Sequence, residues 1–131
     1  KLKKAFLILF VCALAISCKK EMSQPGSGSQ RTIKFVLYTN KDFSNITDTI
    51  IFTLHAKNAS GTISFDSLLA ARRVKDIPGP SNKLVFEKNF PDDGTTLLAG
   101  FLYEIKNVGY SWRLDTMSAH EKFKVIDYPF E

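Results

Sequence analysis

Seven stretches of this chain alternate apolar and polar residues with a period of two, and turn-forming residues separate them. Successive side chains on an extended strand point to opposite faces, so each stretch has one apolar and one polar side. Residues 32–38 align Ile33, Phe35 and Leu37. Residues 49–57 place Ile50, Phe52, Leu54 and Ala56 inward, with Thr53 and His55 outward. Residues 62–66 pair Ile63 with Phe65, and 83–90 align Leu84 and Phe86 until Lys88 breaks the face. Residues 96–106 align Leu97, Ala99, Phe101, Tyr103 and Ile105, and 110–115 align Tyr110, Trp112 and Leu114, read here as an inward set. Residues 121–128 offer Phe123 and Val125, then Ile126 and Tyr128. The breaks at 40–45, 58–61, 78–82, 91–94, 107–109 and 116–120 are rich in Gly, Pro, Asn, Asp and Ser, the residues that turns select. A strand with one apolar face has to be covered. The pattern therefore predicts an all-β domain, a single antiparallel β-sandwich of about seven strands. Only 67–76, SLLAARRVKD, keeps neither period; it fits a helical turn or a strand with a bulge.

Residues 1–30 do not share the pattern. Lys1, Lys3 and Lys4 precede an apolar run from Ala5 to Ala15, then small residues and Cys18, then the polar KKEMSQPGSGSQ. The run is about half as long as the ~20 apolar residues that a spanning helix needs. A basic tip before a short apolar core and small residues is the layout of an export signal. Leu14-Ala15-Ile16-Ser17-Cys18 resembles the lipobox of bacterial lipoproteins, with Ala15 where Leu is usual. The resemblance implies a signal peptide over 1–17 cut after Ser17, with Cys18 lipidated by palmitate-type chains. It implies a tether over 18–30, a β-domain over 31–131, and a partner that is the membrane itself, reached through the N-terminal lipid at the Gram-negative outer membrane. A Gly/Ser-type tether of this length spans roughly 20 Å. Lys19-Lys20-Glu21 resembles the short charged tag with which some Gram-negative bacteria send lipoproteins to the cell surface, which implies a surface-exposed domain.

With Cys12 leaving with the signal and Cys18 acylated, the mature domain of about 100 residues has no thiol and no disulfide, so its hydrophobic core has to suffice. Removal of Lys1, Lys3 and Lys4 takes the 18 basic side chains to 15 against 13 acidic ones, and the net charge from +5 to +2. The basicity of the whole chain is thus no argument for nucleic acid. The strand count and spacing make the domain similar to immunoglobulin-like or transthyretin-like sandwiches. The Cys…Trp…Cys pattern of antibody domains is missing.

Few residues stand out for chemistry. The two histidines, His55 and His120, are 65 positions apart with no ligand-spaced neighbours, and a strand histidine on a polar face is most simply solvated. Asp92-Asp93-Gly94 lacks the repeated oxygen ligands of a Ca²⁺ loop, and a hairpin turn explains Asp93-Gly94. Gly109-Tyr110-Ser111-Trp112-Arg113 lacks the second glycine of a nucleophile elbow. Arg72, Arg73 and Lys75 form a small basic cluster without interleaved aromatics; this fits a solvated edge strand better than phosphate binding. Trp112, Tyr103, Tyr110 and Tyr128 have the flat rings of a carbohydrate platform. The shared register of the first three favours core packing, with Tyr128 the freest. Asp48-Thr49-Ile50, Asp66-Ser67-Leu68 and Asp115-Thr116-Met117 resemble an O-glycosylation signal of some surface-displaying bacteria, which implies modification at Thr49, Ser67 and Thr116; Asp-Ser/Thr pairs also mark strand ends and turns.

The expectation is a membrane-anchored lipoprotein whose domain is a non-catalytic binding or structural module. It would engage a protein or glycan ligand at the cell envelope through loops at one end of the sandwich, with no cofactor and no nucleic acid. The alternative is a small envelope enzyme or metal-dependent protein that uses His55 or His120.

Overall fold

The computed structural model describes residues 29–131 apart from residue 63. The signal peptide, Ser17, Cys18, the tether to residue 28 and Ile63 lie outside the described residues. Eight strands follow in order: β1 Gln30–Thr39, β2 Thr49–Asn58, β3 Ser64–Leu68, β4 Arg72–Arg73, β5 Leu84–Pro91, β6 Leu97–Ile105, β7 Gly109–Met117 and β8 Phe123–Phe130. They form two sheets, one in the order β5-β1-β8 and the other in the order β3-β2-β6-β7, with β4 also paired to β2. The expected all-β sandwich is thus the fold. Its pairs are antiparallel except β1 with β8, which run parallel.

The chain changes sheet between β1 and β2. An immunoglobulin constant domain instead places its first two strands side by side.

The inward faces are largely those that alternation predicts. Ile33, Phe35 and Leu37 of β1 meet Ile50, Phe52, Leu54 and Ala56 of β2 and Leu97, Ala99 and Phe101 of β6, with Ile126 and Phe130 of β8 closing one side. Phe101 lies edge-on to Phe35 at 5.8 Å and to Phe52 at 6.3 Å between ring centroids, the geometry that aligns positive ring edges with negative faces. The segment 67–76 is neither a helix nor one strand. β3 ends at Leu68, the two arginines of β4 rejoin β2, and a 3-10 turn over Val74–Asp76 buries Val74, with Ile77 buried just beyond it.

One end of the sandwich is locked by a charge. Arg31 is fully buried at the start of β1. Its Nη1 donates to the Thr95 carbonyl at 2.6 Å and its Nη2 to Asp93 Oδ1 at 3.2 Å, while Nε stands 3.8 Å from Asp92 Oδ1. Asp93 also accepts from Asn58 Nδ2 at 3.0 Å and from Thr95 Oγ1 at 2.6 Å, and Asp92 pairs with Lys122. The link from β5 to β6 therefore differs from the expected hairpin turn. These strands lie in different sheets, so 92–96 crosses between them, with Gly94 in the left-handed region at φ 73°, where glycine carries no Cβ penalty. The Arg31 guanidinium therefore lies against the carboxylates of both Asp92 and Asp93.

Candidate functional site

The five-stranded sheet is wider than the three-stranded one, and of β7 only Met117 is buried in the core, so the rest of the strand overhangs it. That overhang overturns the expected burial of the 110–115 stretch. Tyr110 and Trp112 do alternate with Ser111 and Arg113, but they point to the outer face, where they are 78% and 69% exposed. Ser111, Arg113 and Asp115 take the inner side, beyond the reach of the smaller sheet's core. Period-two alternation fixes which residues share a face; it does not fix which face is covered. Tyr128, expected to be the freest ring, is half-buried and packs on Phe101 at 5.5 Å and on Tyr103 at 6.4 Å. Burial first, then the neighbouring Tyr103, pushes the Tyr128 phenol well above its ordinary value.

Strand register assembles the outer face row by row. Leu68, Thr53, Leu102 and Trp112 lie across β3, β2, β6 and β7, and Ile51, Glu104 and Tyr110 form the next row. Together with Ser111 and Tyr103 these residues line a shallow depression of about 360 Å³. Leu68 is 72% exposed at one side of it, and Trp112 and Tyr110 stand at the other. Apolar rings and aliphatic side chains thus share the surface with a carboxylate and two hydroxyls. That mixture suits a ligand with apolar faces and hydroxyl edges.

His55 and Asp66 face each other in the row on the other side of Thr53, with Nδ1 to Oδ1 at 2.6 Å. His55 is therefore hydrogen-bonded and largely covered instead of solvated, and the contact fixes its ring on the sheet. The row continues through Gly100 to Leu114. A Cβ at Gly100 would collide with the main-chain carbonyl of Arg113, so glycine permits the close approach of β7. His120 is exposed in the connector from β7 to β8 and lies in a different part of the fold. Among the described residues no three His, Cys, Asp or Glu side chains converge as metal ligands.

The other named residues scatter. Thr49 is half-buried opposite Arg73 and Ser67 half-buried opposite Leu54, while Thr116 is exposed on the outer face opposite Leu98. The Thr116 amide donates to Asp115 Oδ1 at 2.8 Å. That bond first, and Lys124 at 3.3 Å after it, hold the Asp115 carboxyl below its ordinary value. Arg72 and Arg73 form the short edge strand β4. Sequence reasoning missed the Arg31 network and the outward turn of Trp112. The polar run Ser111, Arg113, Asp115 was a signal for the latter, since three polar residues in one register fit poorly with a core opposite.

Among the described residues no helix is long and apolar enough to cross a membrane. No protein-family model, curated protein or solved structure matches the chain.

Proposed function

We propose that this chain is a lipid-anchored envelope protein whose β-sandwich is a non-catalytic binding module, and that the outer face of the five-stranded sheet binds a glycan. The observation that carries this reading is the placement of the single tryptophan, Trp112, in water on a regular strand, beside Tyr110 and the depression they share. Exposed aromatic side chains on a rigid scaffold give contact area at low entropic cost, and a flat ring stacks on the C–H face of a sugar. Glu104, Thr53 and the Tyr110 hydroxyl supply the polar contacts that fix orientation. The geometry favours the sheet face over the end loops for this role. The lipobox-like run ending at Cys18 supports the envelope location.

The His55–Asp66 contact is a cross-strand polar pair in this reading. A hydrolytic reading would use it as a base and its orienting carboxylate; a reducing-end assay on the polysaccharides named below, with His55→Asn as control, tests that reading separately.

Affinity electrophoresis of the full chain in detergent, through gels carrying hydroxyethyl cellulose, xylan, laminarin or dextran, is the test. Retardation by at least one polysaccharide, lost in Trp112→Ala and kept in Phe123→Ala on the other sheet, is expected. Equal migration of wild type and Trp112→Ala in every gel would sink the proposal.

A further inference from the structure

β7 is an edge strand. It pairs with β6 on one side and with no described residue on the other. Natural sandwiches shorten, charge or cover such edges. The opposite edge of the same sheet is treated in that way, with β3 of 5 residues and β4 of 2, both arginine. β7 runs for 9 residues without a proline. Its inner side carries Arg113 and Asp115, two positions apart. Arg113 is exposed and makes no hydrogen bond or salt bridge with any described residue. Asp115 Oδ2 meets Lys124 Nζ at 3.3 Å. The cleft between β7 and β8 beside them also holds Asp127, Tyr128 and Glu131.

We propose that β7 pairs antiparallel with β7 of a second copy, about a two-fold axis through Leu114. Antiparallel partners directly opposite one another point to the same face, so the axis has to pass through a residue for inner to meet inner. An axis through residue 113 or 115 sets arginine against arginine or aspartate against aspartate. An axis through Leu114 sets Arg113 against Asp115 of the partner subunit, and the reciprocal pair follows by symmetry. Opposite charges facing across strands stabilise the pairing, and like charges oppose it. One strand pair makes a small interface, of the weak class. Anchoring both copies in one membrane raises their effective concentration.

The axis is perpendicular to the sheet, so both outer faces look the same way. With the axis along the membrane normal, the two Gln30 ends sit at equal height and tethers of roughly 20 Å serve both. The two Trp112 rings are then four positions apart along the strands, about 14 Å. The pairing does not depend on what the outer face binds.

The test is oxidative cross-linking of the full chain in the envelope of intact cells with copper phenanthroline, against the wild type as background for Cys12 and Cys18. Leu114→Cys is expected to give a disulfide-linked species of twice the monomer mass. Tyr110→Cys, whose symmetry mate lies eight positions or about 27 Å away in this register, is expected to stay at background. In the Leu114→Cys chain, Arg113→Asp cuts the linked fraction roughly tenfold, and Arg113→Asp with Asp115→Arg restores it. The linked fraction is read against unlinked chain in the same lane, which separates lost pairing from lost protein. Background linking at Leu114→Cys, equal linking at Tyr110→Cys, or indifference to Arg113→Asp each overturns the proposal.

Discussion

Arg31 carries a full charge with 0% of its surface in water. A buried guanidinium is tolerable only when its charge is compensated, and here one sheet-to-sheet crossing supplies the Thr95 carbonyl to Nη1 and Asp93 to Nη2, with the Asp92 carboxylate 3.8 Å from Nε, which itself makes no hydrogen bond. Arg31→Ala is expected to cost about 3–5 kcal/mol, because it leaves carboxylates and a carbonyl without their partner as well as a void; urea titration followed by circular dichroism checks it. Asp93 gives the same network a pH dependence. The Thr95 hydroxyl first, and Asn58 and Arg31 with it, hold its carboxyl below the ordinary value of 3.8. A carboxyl lowered by folding stabilises the fold above its ordinary value, and that contribution is lost as pH falls through the lowered one. Asp93→Asn is therefore expected to be less stable than wild type at pH 7, with the difference shrinking below pH 3.8. A constant difference between the two denaturation curves from pH 7 to pH 2 would contradict this. None of this was visible in the sequence, since Arg31 and Asp93 are separated by 62 positions and carry no local pattern.

β6 and β7 show how far a pattern goes at the scale of an element. Alternation located both strands because pleating is a local property of the backbone. For β6 it also found the covered face, Leu97, Ala99 and Phe101, although Leu98, Gly100 and Leu102 on the other face are apolar as well. For β7 it did not, because burial there depends on how many strands the facing sheet contains. Three strands against a wider sheet leave β7 over solvent up to Met117, which alone enters the core, and the aromatic set becomes surface. The candidate site was thus legible as a list of rings but not as a site. Gly100 belongs to the same pair of strands. An added Cβ would press on the Arg113 carbonyl, which is main chain and cannot swing aside. Gly100→Ala is expected to destabilise the domain by about 1–3 kcal/mol. Faster amide exchange along Leu114–Met117 than along β1 would locate the damage at the β6–β7 ladder.

At the scale of the molecule, the proposed reading divides the work between an anchor and a domain. The described domain contains no cysteine, and its two sheets bury a continuous apolar interior with no covalent staple. Membrane attachment in the proposed reading depends on Cys18 alone. Each buried methylene of an acyl chain contributes about 0.8 kcal/mol, and a single myristoyl chain binds only marginally. Several chains on one cysteine hold the protein permanently, whereas the shallow outer face, with its carboxylate and hydroxyls, has no comparable hold on a bilayer. Two modes of attachment therefore predict different outcomes for one substitution. Cys18→Ala is expected to give an unlipidated chain that keeps its signal segment. Its mass should exceed that of the mature protein by the uncut peptide less the missing lipid, and radiolabelled palmitate should no longer be incorporated. The domain itself should be untouched, with the same β-type circular dichroism and the same urea midpoint, because the described sandwich is built from residues 30–130. Cleavage after Ser17 in the variant, with the domain released from the envelope, would show ordinary secretion instead and would remove the lipid from the reading while leaving the aromatic face in place.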